Sequence, residues 1–210
     1  MTLPPIYPIL DTAALAQRTL LAATAAEAFL EAGATALQYR HKAFWSRETW
    51  REAQQIAGLC KQAGALFIVN DRADFAALLN TGLHVGQDDL APEDARKVIG
   101  PDVILGFSTH DPAQMQAAQT EPVDYIAFGP IFATASKDRP DPSTGPQVLK
   151  QIRGMTKKPL VAIGGITLYN AQACFEAGAD SLALIAGLLP DVCTKATLRA
   201  RMMEWLQVFG

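Results

Sequence analysis

Cysteine is scarce in this sequence, and its few copies are not spaced for a structural role. Only Cys60, Cys174 and Cys193 occur, and no two of them form a CxxC pair. An odd number at such wide spacing excludes a disulfide framework and a zinc knuckle as the support of the fold. We interpret all three as small buried hydrophobic residues.

Excess positive charge and long apolar runs are missing as well. The formal net charge is -3, whereas a general binder of nucleic acids or membrane surfaces needs a basic face. No apolar run approaches the length that spans a bilayer, and the first residues, MTLPPIYPILD, show no basic segment ahead of an apolar one. We expect no nucleic-acid partner, no membrane partner and a cytoplasmic location.

The composition that is present is that of a compact enzyme. Half of the 210 residues are hydrophobic and 19% are charged, which is the usual balance of a globular chain. No linker, charge run or low-complexity tract divides the sequence. One domain over residues 1–210 is therefore expected.

Eight short apolar runs alternate with segments of helical period. The predicted strands are Ile6–Asp11, Ala36–Arg40, Leu66–Asn70, Leu83–Gly86, Ile104–Ser108, Tyr125–Gly129, Leu160–Gly164 and Ser181–Ile185. Runs that are apolar throughout are typical of parallel strands covered on both faces. With a last helix over Thr194–Phe209, this alternation predicts an α/β protein with a single (β/α)8 TIM barrel; an open flavodoxin-like sheet is the alternative.

Local signals mark several helix ends. Asp111 stands before Pro112, which places a capping side chain ahead of a proline in the first turn. Gly33, Gly64 and Gly178 each follow an alanine-containing helical segment just before the next strand. Glycine at that position predicts a helix C-terminus.

Polar side chains collect where the predicted strands end, which in a barrel is the rim that carries reactive groups. Gln38, Arg40 and Lys42 alternate, so in an extended segment they point to the same side and can surround one anion such as pyrophosphate. The alternative for Arg40 and Lys42 is that they are ordinary surface charges.

Two acids end consecutive strand-helix units. Asp71 and Asp89 would repel each other at one rim unless a cation lay between them, and Mg²⁺ is the oxygen-seeking cation that is commonly shared with substrate phosphates. The alternative makes Asp71 a helix N-cap and Asp89 a solvated loop acid.

Glycines follow the last two predicted strands. Gly164 and Gly165 come after the seventh strand, and Ile185, Ala186 and Gly187 come after the eighth. Backbone N–H groups at these positions form the phosphate site of many barrels, and glycine lets a phosphate approach the main chain closely. We expect a phosphate group of a ligand there.

The histidines and the glycine pattern argue against other chemistries. No Ser-His-Asp or Cys-His arrangement is evident, the three histidines lack metal spacing, and no dinucleotide fingerprint follows the first strand. His84 is interpreted as a core residue, and His110 either as a substrate contact or as a helix cap. The ring of His41 should face away from Arg40 and Lys42.

Six motifs in unbroken order between Gln38 and Ala186 carry a family resemblance. They are QYRHK, NDRAD, GLHVGQDDL, GFSTH, DYIAFGPIFATASK and VAIGGI. With them the sequence resembles the thiamine phosphate synthase family. The resemblance implies a Mg²⁺-dependent transferase that joins 4-amino-2-methyl-5-hydroxymethylpyrimidine diphosphate to a thiazole phosphate, giving thiamine phosphate and pyrophosphate. Its partners are these small molecules, and a homo-oligomer stays open.

The resemblance also implies roles for individual residues. Asp71 and Asp89 would bind Mg²⁺. The residues implied to bind substrate are Gln38, Arg40, Lys42, Asn70, Ser108, Thr134, Ser136, Lys137, Gly165, Ile185 and Ala186. Among these, the implied catalytic residues are Lys137, Arg40, Lys42 and Ser108.

Two positions depart from the family pattern, and two other functions stay open beside the synthase. Ala186 stands where the family usually has Ser, and Ser136 stands where it usually has Thr. One alternative is the thiazole tautomerase of the same fold, which carries a catalytic histidine where this chain has Pro130. The other is a non-catalytic protein that binds thiamine metabolites.

Overall fold

The computed structural model describes residues 3–134 and 142–210. Within them, eight parallel strands pair in chain order and close into a barrel, with β8 beside β1. The strands are β1 (Ile6–Asp11), β2 (Ala36–Arg40), β3 (Leu66–Asn70), β4 (Gly82–Val85), β5 (Leu105–Thr109), β6 (Tyr125–Phe128), β7 (Leu160–Ile163) and β8 (Ser181–Leu184). The predicted (β/α)8 TIM barrel is confirmed, and the open sheet is excluded.

The first three strands end where the sequence predicts, and the other five differ by one residue. β4 begins at Gly82 because this residue pairs with Ile68 of β3, whose Cγ1 would lie only 2.8 Å from an added Cβ. β5 extends to Thr109, which pairs with Phe128. β6, β7 and β8 each stop one residue early, because the chain turns into the rim loops there.

Helices cover the outside of the barrel. The described helices are α1 (Thr12–Ala16), α2 (Ala22–Glu31), α3 (Arg47–Ala63), α4 (Ala73–Leu79), α5 (Pro92–Ile99), α6 (Pro112–Ala118), α7 (Gly145–Met155), α8 (Ala171–Glu176) and α9 (Lys195–Phe209). As predicted, Asp111 caps α6 by accepting from the Gln114 N–H at 2.8 Å, and Gly64 ends α3 in the left-handed region. Among the residues that the structure describes, no helix has both the length and the hydropathy to cross a membrane.

Alternation along each strand separates two apolar layers. On β1, Ile6 and Leu10 pack under the helices, whereas Tyr7 and Ile9 belong to the cluster that fills the barrel interior. The interior cluster is small and includes two tyrosines, Tyr7 and Tyr125. The two tyrosine hydroxyls therefore place polar groups inside the barrel, below the rim where the strands end.

Candidate active site

A cavity of about 560 Å³ lies at the carboxyl ends of the strands. The predicted site residues that line it are Gln38, Arg40, Lys42, Asn70, Asp71, Asp89, Ser108, Thr134, Gly165, Ile185 and Ala186. Ser136 and Lys137 lie outside the described residues, so their placement stays a prediction. Groups that are more than a hundred residues apart in sequence thus meet at one rim.

Arg40 is held in the cavity wall by an acid that the sequence analysis missed. Its Nη1 donates to Oδ2 of Asp11, which is its register partner across β1 and β2. The other carboxylate oxygen of Asp11 accepts from the Ala14 N–H at 2.9 Å and so caps α1. One buried carboxylate therefore fixes both a helix start and the guanidinium of Arg40.

Asp71 and Asp89 lie next to each other beside Lys42. The ammonium of Lys42 is 2.5 Å from Oδ2 of Asp71, and Asp89 accepts from the Gly86 N–H at 2.7 Å. Burial, reinforced by the neighbouring Asp89 carboxyl and opposed by Lys42, raises the pKa of Asp71 to about 6. The alternative interpretation of Asp71 as a helix N-cap is wrong, because Arg72 occupies that position in α4 without a side-chain cap.

The donor set at this acidic pair fits Mg²⁺. In the described part of the chain, no group of three or more His, Cys, Asp or Glu could hold a metal by itself. Mg²⁺ does not need such a cage, since it usually keeps several waters and binds one or two carboxylates together with substrate phosphates. Beside the pair, Asn70 is buried and its Nδ2 has no hydrogen-bond partner among the residues described. An amide donor is therefore available for an anionic oxygen in the same wall.

The loops after β7 and β8 approach each other closely. Gly165 has φ +63, and a Cβ built on it would lie 2.4 Å from the carbonyl oxygen of Ala133. After β8 the chain forms a short 3₁₀ helix, Ala186–Leu188. A Cβ on Gly187 would lie 2.7 Å from the carbonyl oxygen of Ile166. Neither glycine leaves room for a side chain, because the backbone of a neighbouring loop lies too close. Both loops line the cavity at the place where a phosphate site is predicted.

A chain of hydrogen bonds forms the floor of the cavity. Nε2 of Gln38 donates to Oη of Tyr7 at 2.8 Å, and that oxygen is 3.0 Å from Oη of Tyr125. Tyr125 is 2.9 Å from Nδ1 of His84, whose Nε2 is 2.8 Å from Oγ of Ser108. His84, predicted to be a core residue, is buried, yet it also lines the cavity and contacts Ser108, a predicted substrate residue. Burial lowers the pKa of His84 to about 4.

The other two histidines separate as the sequence indicates. His41 bonds through Nδ1 to Oγ1 of Thr12 at 2.8 Å and stacks on Tyr39, so its ring faces away from Arg40 and Lys42, which line the cavity, as predicted. His110 lines the cavity, and its Nδ1 is 2.6 Å from the Gly129 carbonyl oxygen. It does not cap α6, because Asp111 does.

Fold and site together define a barrel protein of the (β/α)8 class, with a charged cavity at the carboxyl ends of its strands. Residues 6–188 match the family model described as thiamine monophosphate synthase. The chain belongs to that family, and the predicted resemblance is confirmed.

Relatives and solved structures agree with this membership. The thiamine-phosphate synthase of Koribacter versatilis is 44% identical over 211 residues, which span 99% of this chain and 97% of the relative. That of Chlorobium phaeovibrioides is 42% identical over 184 residues, 86% of this chain and 88% of the relative. The structure of a thiamine phosphate pyrophosphorylase from Pyrococcus furiosus matches with a TM-score of 0.80 and 30% identity, covering 98% of this chain and 96% of that one.

Proposed function

We propose that this chain condenses 4-amino-2-methyl-5-hydroxymethylpyrimidine diphosphate with a thiazole phosphate, forming thiamine phosphate and releasing pyrophosphate. In this proposal the protein binds Mg²⁺ and acts in the cytoplasm. The observation that carries this proposal is the meeting of two cations, Arg40 and Lys42, with two acids, Asp71 and Asp89, in one cavity wall. Such a wall suits a metal-bound diphosphate. Relatives named thiamine-phosphate synthase over nearly the whole chain support the reaction.

The end of the cavity proposed to bind the diphosphate carries hydrogen-bond donors that are already in place. Arg40 is already oriented by Asp11 and loses little freedom when it binds a phosphate oxygen. Asn70 presents an amide N–H within the same wall. Lys42 contacts Asp71 from a partly exposed position and can exchange that carboxylate for a phosphate oxygen. Positive charge therefore lies where the leaving group gains negative charge.

The reaction needs no nucleophile or proton from the protein. The bond between the pyrimidine methylene carbon and the diphosphate oxygen breaks, and its electron pair leaves with pyrophosphate. The thiazole nitrogen then forms a bond to the methylene carbon with its own lone pair. The protein's contribution is to orient the two substrates, to exclude water and to stabilise the leaving charge through Arg40, Lys42 and Lys137.

Asp71 and Asp89 are the residues that would hold Mg²⁺. When bound, the ion supplies a Lewis-acid charge that offsets the charge of the diphosphate. The pKa of Asp71 stays raised beside Asp89 even with Lys42 in contact, so further positive charge would stabilise the two carboxylates, which is the physical reason for assigning the ion here.

The thiazole end relies on the backbone. Thr134, Gly165 and Ile185 line this part of the cavity, with Ser136 as a further proposed contact. Ala186 offers no hydroxyl, so the thiazole phosphate is held there by N–H groups of the loops after β7 and β8. Neither alternative function gains support from the relatives, which carry the synthase name.

The test is an assay of the purified protein with both substrates, with and without Mg²⁺, followed by ³¹P NMR. We expect thiamine phosphate and pyrophosphate in equal amounts when Mg²⁺ is present, and neither after chelation. A matched control is Asp88→Asn, which removes an exposed neighbouring charge, beside Asp89→Asn, which removes a proposed ligand. If wild-type protein forms no thiamine phosphate with Mg²⁺ supplied, the proposed function is wrong.

A further inference from the structure

The floor of the cavity links two residues that the family resemblance implies bind substrate. Gln38 and Ser108 lie at the two ends of the hydrogen-bonded chain through Tyr7, Tyr125 and His84. Each inner member both donates and accepts. The donor at one end therefore decides the direction of every bond along the chain.

With the amide of Gln38 oriented as in the structure, its N–H donates to Tyr7. The Tyr7 hydroxyl then donates a hydrogen bond to the Tyr125 oxygen, and the Tyr125 hydroxyl donates one to Nδ1 of His84. The remaining ring proton lies on Nε2 and is donated to Ser108. The hydroxyl proton of Ser108 is left to donate to a ligand in the cavity, and the carbonyl oxygen of Gln38, which also lines the cavity, is left to accept.

Reversing only the bond between the two tyrosines, or only the bond between Tyr125 and His84, leaves a tyrosine proton without an acceptor within this chain, in a fully buried position. An unmet buried donor is disfavoured by several-fold or more. The whole chain can reverse only if the amide of Gln38 also rotates. Ser108 would then present lone pairs, and Gln38 would present its N–H groups. The hydrogen-bonding faces of these two residues are consequently coupled.

The rings of the chain are closely packed. A Cβ on Gly106 would lie 2.0 Å from Cζ of Tyr125 and 2.5 Å from Nδ1 of His84. The rings of Tyr7 and Tyr125 meet edge to face at 6.2 Å, and His84 stacks on Tyr125 at 5.5 Å. The missing side chain of Gly106 thus creates the space in which Tyr125 and His84 meet.

The protonation state of His84 suits this role. Each of its ring nitrogens lies next to a hydroxyl oxygen, and a neutral ring offers these two contacts one acceptor and one donor nitrogen. A charged ring would donate at both nitrogens and would break the chain at Tyr125.

We propose that Tyr7, Tyr125 and His84 are positioning residues, which together set the donor face of Ser108 and the acceptor face of Gln38 toward an aminopyrimidine. An aminopyrimidine has a complementary edge, because its exocyclic amine donates and its ring nitrogen accepts. This inference rests on the proposed function for its ligand. The direction of the chain can be measured without any ligand.

Tyr125→Phe tests the inference, since it removes the central hydroxyl and with it two bonds of the chain. Tyr39→Phe is the matched control: Tyr39 is also a buried strand tyrosine, but its hydroxyl donates to Glu52 at 2.7 Å, outside this chain. In ligand-free protein at pH 7, ¹⁵N NMR of the histidine side chains should give a single Nε2–H tautomer for His84. Tyr125→Phe should give a mixture of tautomers, and Tyr39→Phe should match the wild type.

Kinetics give the second readout. Tyr125→Phe should raise KM for the pyrimidine diphosphate roughly fivefold to tenfold, the size expected for one misdirected hydrogen bond, and leave KM for the thiazole phosphate unchanged. If Tyr125→Phe does not fold, Tyr7→Phe breaks the same chain at the next link. An Nδ1–H tautomer in the wild type, or a variant equal to Tyr39→Phe in tautomer and KM, overturns the inference. An inactive wild type with the expected tautomer would instead overturn the proposed function.

Discussion

At the scale of single residues, one side chain often serves both the fold and the cavity. Asp11 ends β1, caps α1 with one oxygen and holds Arg40 with the other. His84 is buried in β4 and yet reaches the cavity through Ser108. Substitutions that separate these roles are more informative than deletions of the side chain.

Asp11→Asn removes the charge of this side chain but keeps a good N-cap, whereas Asp11→Ala removes both. We expect both variants to raise KM for the pyrimidine diphosphate, because Arg40 loses its orienting partner. Asp11→Ala should in addition be less stable than Asp11→Asn by about 1 kcal/mol in urea unfolding. Wild-type KM in Asp11→Asn would mean that Asp11 serves the helix alone.

Acid should destabilise the protein through His84. Burial lowers its pKa from 6.5 to about 4, with the charges of Asp89 and Lys42 acting in opposite directions. The unfolded chain therefore takes up this proton near pH 6.5 and the folded chain does not, so stability is lost as pH falls from about 6.5 toward 4. His84 alone contributes a loss of about 2 kcal/mol between pH 7 and pH 5, and Asp71 offsets part of it, because its raised pKa lets the folded chain take up that proton first.

The measurement is the free energy of unfolding in urea at both pH values. His84→Gln should show a loss smaller by about 2 kcal/mol, even if it is less stable at pH 7. An equal loss in the variant and the wild type would assign the acid sensitivity to other groups.

At the scale of elements, apolar runs predict where strands lie but not where each ladder ends. β1, β2 and β3 match the prediction, since each ends in a polar residue that interrupts the apolar run of the sequence. Gly82 and Gly129 were misassigned because a glycine carries no apolar side chain to mark it as inside or outside. Their placement follows from close contacts with Ile68 and Ile163, which form only when neighbouring strands pair.

Two left-handed glycines allow a matched test of the loop after β7. Gly165 and Gly64 have φ +63 and +67, but an added Cβ would clash only at Gly165, where Ala133 lies 2.4 Å away. Gly64→Ala should lose roughly 1 kcal/mol of stability from its backbone alone and keep its kinetics. Gly165→Ala should lose more and also raise KM for the thiazole phosphate. Steady-state kinetics and urea unfolding check both; equal behaviour of the two variants would contradict the phosphate assignment.

At the scale of the whole molecule, barrel closure makes part of the site predictable and hides the rest. Residues such as Asp71 and Asp89 could be found because every parallel strand delivers its end to one rim. Tyr7 and Tyr125 could not, because they are 118 residues apart and meet only across the closed interior. Asp11 was missed for a similar reason, since its partner Arg40 lies on the next strand.

Ligand linkage should be visible in the stability of the whole barrel. Ligands that bind only the folded state stabilise it by mass action. We expect Mg²⁺ and pyrophosphate together to raise Tm by more than the sum of the two shifts that each produces alone, because each ligand forms part of the binding site of the other. Asp71→Asn and Asp89→Asn should abolish this excess in thermal unfolding, while Asp88→Asn keeps it. Additive shifts in the wild type would argue for two independent sites.

The central claim is that the two cations and the two acids surround one metal-bound diphosphate. Crystals grown with Mn²⁺ and pyrophosphate test it directly, because the anomalous signal locates the metal. We predict a metal about 2 Å from carboxylate oxygens of Asp71 and Asp89, with the pyrophosphate contacting both the metal and the side chains of Arg40 and Lys42. A metal bound elsewhere, or a pyrophosphate bound away from Arg40 and Lys42, would contradict the account.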